Sequence, residues 1–189
     1  SRMADFNIGK KLRELRRERN FTLQDVATAT GFSASLISLI ESENVSPPIA
    51  TLSRIAGVLK VNMGYFFAES SDDKKVEVVR RGRGKKVRRV ISSSGVKHGY
   101  SYETLAYKLK ERKMEPFLLT VRTKGGDEKS VYNHEGEEFL MVLKGRVVLV
   151  YGDEKIHLKE GDSVYFDSRV EHRLLSHGTQ AARVLAVIA

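Results

Sequence analysis

Ala34, Ser35, Ser38 and Ser42 share one side of a helix that turns about 100° per residue, while Leu36, Ile37 and Ile40 share the opposite side. Hydroxyls and a methyl group on an exposed helical face can hydrogen-bond and touch base edges in a DNA major groove. Holding them there takes a short preceding helix and a tight turn. Thr22 with Asp25 three residues later forms an N-cap pattern, which predicts a helix running to about Ala29. Gly31 can take the left-handed conformation that leaves that helix, and Ser33 can cap the next. The pair reads as a helix-turn-helix or, more plainly, as an αα-hairpin inside a helical domain.

Composition narrows the class. The 189 residues carry a net charge of +9 and a pI near 9.7, which points to an anionic partner such as nucleic acid. Residues 1–67 hold nine Lys and Arg against six Asp and Glu, residues 68–91 nine against four, and the remainder fifteen against fourteen. The excess is therefore concentrated in the first half of the chain. Without cysteine there is neither a disulfide framework nor a thiolate metal site. No apolar run approaches the roughly 18 residues of a membrane span. A soluble, cytoplasmic protein without a membrane partner is the expectation.

Along the chain, Ile8, Leu12 and Leu15 mark an amphipathic first helix whose basic side carries Lys10, Lys11, Arg13, Arg16, Arg17 and Arg19. Pro47 and Pro48 precede a fourth helix marked by Leu52, Ile55, Ala56 and Leu59. Asn62 is placed as the cap of a short fifth helix whose Tyr65 and Phe66 close the core. The run IGKKLRELRRERNFTLQDVATATGFSASLISLIESENVSPPIATLSRIAGVL within residues 8–67 resembles the lambda-repressor-like, or xenobiotic-response-element, helix-turn-helix family. That resemblance implies base reading by Ala34, Ser35 and Ser38, with Thr22, Gln24, Ser33, Ser42 and Asn44 on the DNA side and Glu43 near the backbone. The helix lacks Arg, Asn and Gln on this face, so serine hydroxyls, the Ala34 methyl and DNA shape carry the expected readout.

Residues 68–75 read as a linker, and VEVVRRGRGKKVRRVI after it as either an edge hairpin guarded by cations or a phosphate-binding patch. From about residue 91 the pattern changes to β-rich runs separated by turn residues, which suggests a sandwich or jelly-roll barrel. Two stretches resemble the motifs of the cupin superfamily: the string from Tyr132 through His134 and Glu138 to Gly145, and Gly161-Asp162 leading to His172. The resemblance implies a small barrel around a pocket in which His134, Glu138 and His172 occupy metal-ligand positions, with Tyr132 where a further histidine would stand. Two histidines and a carboxylate suit a divalent ion (Fe, Zn, Ni or Mn), or hydrogen-bond a small ligand without one. Tyr102, Tyr107, Arg122, Tyr132 and Leu140 are the further candidates for ligand contact, since tyrosine and arginine supply polar groups to an apolar cavity. His157 reads as a surface or packing residue, and His98 and His177 as loop residues.

The fold expectation is thus two domains, α plus β: a five-helix DNA-binding domain at 3–67, a linker and basic segment at 68–90, and a cupin jelly-roll barrel at 91–189. The whole chain resembles bacterial regulators that join this helix-turn-helix to a C-terminal cupin, which implies a dimer on a double-stranded operator, modulated by a small-molecule effector and not an enzyme. The same arrangement occurs in hydroxypropylphosphonate epoxidase, whose iron is held by two histidines and a glutamate. That leaves an oxygen-dependent enzyme as the alternative, and a barrel that only dimerises as a third.

Overall fold

The computed structural model describes residues 7–43, 45–69, 75–87, 90–91, 99–109, 111–122 and 131–189. Four α-helices come first: α1 Ile8–Glu18, α2 Leu23–Thr30, α3 Ala34–Glu41 and α4 Ile49–Val58. The capping box of α2 is fully formed, with the Thr22 hydroxyl accepting from the Asp25 N–H and the Asp25 carboxylate accepting from the Thr22 N–H. Gly31 leaves α2 at φ 77°, and the Ser33 hydroxyl accepts from the Leu36 N–H to start α3. The expected fifth helix is instead a single 3₁₀ turn, Met63–Phe66, without a side-chain cap at Asn62. Four residues give too few bonds to propagate an α-helix. Phe66 and Phe67 are fully buried there, whereas Tyr65 is 38% exposed, so the phenylalanines and not Tyr65 close this end of the core.

The remainder is β: β1 Lys85–Val87, β2 Tyr100–Thr104, β3 Glu115–Val121, β4 Glu137–Lys144, β5 Arg146–Tyr151, β6 Glu154–Lys159, β7 Ser163–Asp167, β8 His172–Ser176 and β9 Ala182–Ile188. They form a six-stranded sheet in the order β1-β2-β3-β9-β4-β7 and a three-stranded sheet in the order β6-β5-β8. Every ladder between these strands is antiparallel. Among the described residues the two sheets do not close into a barrel: apart from the isolated Tyr132–His172 bridge, no pairing links strand ends around the circumference. Side-chain packing holds the sheets together, with inward residues alternating buried and half-buried along β3 and β9.

The basic segment does not form a hairpin on itself. Gly82, at φ 74°, turns the chain, and β1 then pairs with β2 as the edge of the larger sheet. The sheet therefore begins at Lys85, ahead of the expected start near residue 91. Of the expected linker, Glu69 donates its N–H to the Tyr107 carbonyl, while residues 70–74 lie outside the described residues, as do Asn44 and His98.

The helical and β portions share one hydrophobic cluster. The ring of Phe67 packs edge-on against Tyr102 at 6.3 Å and Phe117 at 5.4 Å. Arg112, in bidentate contact with the buried Glu115, also reaches the Gly64 carbonyl at 3.4 Å.

Candidate functional site

On the helical side, α2, Gly31 and α3 present an outward surface while Val26, Leu36, Ile37 and Ile40 are buried beneath it. Ser35 and Ser38 are exposed and Ala34 is half-buried on that surface. Ser33 is committed to its cap, Thr22 to the capping box, and Ser42 to the Leu39 carbonyl at 2.8 Å. Gln24 is exposed at the start of α2 and donates to the Thr28 hydroxyl. Glu43 sits at φ 62° and accepts the Lys10 N–H. One residue that the sequence reading passed over joins this surface: Leu39, 43% exposed. Its angle on the helical wheel sets it between the buried and polar sectors, which was the available signal.

The basic side of α1 differs from expectation at two positions, Arg16 and Lys11. Arg16 is not on the outer face but 8% exposed, with Nε 2.5 Å and Nη2 2.9 Å from the carboxylate of buried Glu41 and Nη1 on the Phe21 carbonyl. Lys11 turns toward the β domain and donates to the Tyr65 and Ala68 carbonyls. Lys10, Arg13, Arg17 and Arg19 remain exposed.

In the β portion, Glu138 at the start of β4, His172 at the start of β8 and His134 in the approach to β4 converge. Their ligand atoms all lie within 4.8 Å of one another, and the three side chains are buried. Gly136, at φ 97°, makes the bend that turns His134 back toward Glu138; a Cβ there would collide with the Ala189 carbonyl. His134 Nε2 is 2.6 Å and His172 Nε2 3.1 Å from the same oxygen of Glu138. Each Nδ1 faces a backbone carbonyl, Glu135 for His134 at 2.9 Å and Val170 for His172 at 2.8 Å. Those carbonyls accept only, so each Nδ1 carries a proton, and each Nε2 faces a carboxylate that also only accepts. Such an arrangement requires a cation between them or an added proton on a ring. Burial alone would raise Glu138, but the bonds from His134 and His172 outweigh it and hold the carboxyl at about 2. Burial alone would lower His172; the bond to Glu138, its charge and the Val170 carbonyl together raise it. Carbonyl-oriented imidazoles around a carboxylate fit a divalent ion, with His134, Glu138 and His172 as its holders.

Glu138 and His172 border a cavity of about 60 Å³ whose walls also include Tyr132, Leu119, Leu140, Leu149, Phe166 and Ile188. Phe166 stacks edge-on against His172 at 5.0 Å. The expected pocket residues divide. Tyr132 and Leu140 line the cavity. Tyr102 does not: its hydroxyl donates to the Pro47 carbonyl in the helical portion at 2.9 Å. Tyr107 lies at the domain junction beneath Lys85, its hydroxyl on the Arg83 carbonyl, and Arg122 is exposed. Both are remote from the cavity walls. Instead Tyr100, two residues earlier on the same face of β2, reaches the cavity, and Ile49 and Ala50 of α4 join the wall. No local pattern in the sequence places α4 against a β pocket. His157 and His177 are exposed and stack on each other at 5.1 Å, away from the triad.

Residues 9–70 match a family described as a helix-turn-helix domain, and residues 118–188 one described as a cupin domain. Over 180 residues the chain is 26% identical to the HTH-type transcriptional regulator PuuR of Escherichia coli (strain K12), spanning 94% of this chain and 92% of that protein. A stretch of 55 residues, 29% of this chain and 40% of the relative, is 44% identical to the HTH-type transcriptional regulator RghRB of Bacillus subtilis (strain 168). Among solved structures, an HTH_3 family transcriptional regulator from Vibrio cholerae superimposes with a TM-score of 0.64 at 22% identity, over 97% of this chain and 95% of that one. Hydroxypropylphosphonic acid epoxidase from S. wedmorenis superimposes with a TM-score of 0.52 at 22% identity over the whole of both chains. At such identities both likenesses speak to fold.

Proposed function

We infer that this chain, a helix-turn-helix domain joined to a cupin domain, is a DNA-binding transcriptional regulator. The observation that carries the reading is the α2–Gly31–α3 unit, which is capped at both helices and offers Ser35, Ser38 and Leu39 outward from a closed core. End-to-end similarity to PuuR, covering both domains, supports it. The cupin pocket takes a small effector, mostly apolar and with an oxygen that can join His134, Glu138 and His172 around a divalent ion.

The regulator acts as a dimer. Residues on β3, β4 and β9 that point away from the pocket include Leu118, Phe139, Met141, Leu185 and Val187, flanked by Leu143 at 44% and Tyr165 at 63% exposure. An apolar sheet face supports the packing of a second copy, and two copies suit two DNA half-sites.

The test is binding of the full chain to fragments from upstream of its own gene and others, titrated across salt. Specific binding with a steep salt slope is expected, and the Ser35→Ala/Ser38→Ala double variant loses sequence preference while keeping the slope. Equal binding to every fragment and to scrambled DNA overturns the reading. The His-Glu-His group also favours a second reading, an oxygen-dependent iron enzyme. Iron-loaded protein that binds no fragment specifically and consumes oxygen with a small phosphonate or carboxylate decides for it.

A further inference from the structure

We propose that the occupant of the cupin pocket is read directly by the DNA-binding domain of the same chain, through the first turn of α4. The inference rests on the regulator reading and specifies how its pocket is coupled to DNA.

The cavity is not enclosed by the β domain alone. Ile49 and Ala50, the first two residues of α4, form part of its wall opposite the sheet residues Leu119, Leu140 and Ala186. Both are buried, at 4% and 8% exposure. Two tyrosines of β2 fasten this turn: the Ile49 N–H donates to the Tyr100 hydroxyl at 3.0 Å, and the Tyr102 hydroxyl donates to the Pro47 carbonyl at 2.9 Å. Their rings lie 6.0 Å apart, and Tyr102 rests on Phe67 and Phe117. Tyr100 thus touches the cavity and the helix at once.

The walls differ in how they are held. Ladders join β3 to β9 and β9 to β4, the latter regular up to an irregularity between Val142 and Lys144, so Leu119, Leu140 and Ala186 sit on backbone that is paired on both sides of them. Among the described residues the α4 wall is joined to the β portion by those two tyrosine bonds, by the Ile91 N–H donating to the Ser46 carbonyl just ahead of Pro47, and by side-chain packing. An occupant that fills the cavity of about 60 Å³ bears on its walls, and close-packed interiors yield where they are held least. That wall is α4, which packs against α2, the first helix of the helix-turn-helix. Displacement of α4 therefore reaches the DNA-facing pair without passing through a second subunit.

Amide exchange on the full chain tests this with two ways of filling the pocket. One is Ala186→Leu, which adds atoms from the sheet side; the other is Co(II), added to the wild type with His172→Ala as the control. Each is expected to change exchange of the segment at residues 47–52 by about threefold or more. Tyr100→Phe, which removes the acceptor for the Ile49 N–H, makes that segment exchange fast with the pocket filled or empty. If Ala186→Leu does not fold, Ala186→Val is read in its place. Unchanged exchange at 47–52 in the pocket-filled variant, with changes confined to β4, β8 and β9, overturns the proposal whatever Co(II) does. Operator binding keeps the two readings apart. A response at 47–52 without specific binding to any fragment sinks the regulator reading and leaves the domain contact standing. Specific binding that Ala186→Leu leaves unaltered, with a silent 47–52 segment, does the reverse.

Discussion

Glu41 and Glu138 are both carboxylates buried to within 10% of complete exclusion from solvent, one in each domain, and each has two nitrogens within hydrogen-bonding distance, with Arg13 Nε a further 3.5 Å from Glu41. Their partners separate them. Glu41 has both oxygens taken by the planar fork of Arg16, and the third nitrogen of that fork is satisfied by the Phe21 carbonyl. Arginine does not release its proton in a protein, so the guanidinium stays a cation and the pair serves to fasten α1 to α3. Glu138 is met at a single oxygen by two imidazoles, each of which can gain or lose a proton or trade it for a metal ion. The same residue type at the same depth is a fastener in one domain and an exchangeable site in the other, and the chemistry of the cation decides which.

The comparison is broken most forcefully at the fastener. Glu41→Ala leaves Arg16 buried without its counter-charge, and a loss of about 3–5 kcal/mol is expected, seen as early unfolding of the helical signal in a denaturant titration. A loss below about 1 kcal/mol would mean that Arg16 swings out to water and that the pair is not the fastener described.

At the exchangeable site the large effect falls on binding. Glu138→Gln is expected to weaken Co(II) affinity by about 100-fold or more, followed by visible absorption, with a smaller fall in stability than Glu41→Ala. Equal affinity in the variant would remove Glu138 from the ligand set.

The pH response sharpens the contrast further. Glu138 is held at about 2 against an ordinary 4.5, so its contribution to stability is complete above 4.5 and is lost as pH falls toward 2. His172 is raised above its ordinary 6.5, so its contribution is complete below 6.5 and is lost as pH rises through the folded value. The metal-free β domain is therefore most stable between those limits. Metal binding runs against the upper limit because it requires the neutral ring: Co(II) affinity rises by about tenfold per pH unit below the folded pKa of His172 and levels above it. A flat affinity profile from pH 5 to 8 would remove His172 from the ligand set.

The smallest effect tests whether the DNA-facing unit is a rigid counterpart to the adaptable pocket. Thr22→Ala removes the reciprocal cap of α2 and should cost about 1 kcal/mol by thermal melting. Specific DNA affinity would fall by no more than the stability loss accounts for, since the Thr22 hydroxyl is already bonded to the Asp25 N–H. A loss of affinity well beyond that would restore a direct DNA contact to Thr22.

Legibility followed the distance over which each feature is decided. The caps of α2 and α3 and the turn at Gly31 were readable because partner residues lie three positions apart. The convergence of His134, Glu138 and His172 was readable only through a family resemblance, since nothing local brings His172 across 34 residues to Glu138. Arg16 was misplaced on the solvent side because helical spacing groups it with other cations, while Glu41 waits 25 residues away. The sequence offers Tyr102 as a candidate for the pocket, whereas Tyr100 is the one that lines it. Strand alternation turns both the same way, and only the position of α4 determines which hydroxyl faces the cavity and which Pro47.

By itself the sequence determined the helix-turn-helix, the change from helical to strand periodicity, and the residue types that can hold a cation, because capping, burial period and ligand chemistry are properties of short segments. The tertiary structure alone decided that the sheets face one another without closing, that Arg16 is spent on Glu41, and that α4 walls the cupin pocket. Those outcomes depend on which surfaces meet after the chain has folded. The apolar faces of α4 and of the sheet each need cover, and no short-range pattern states that they cover one another.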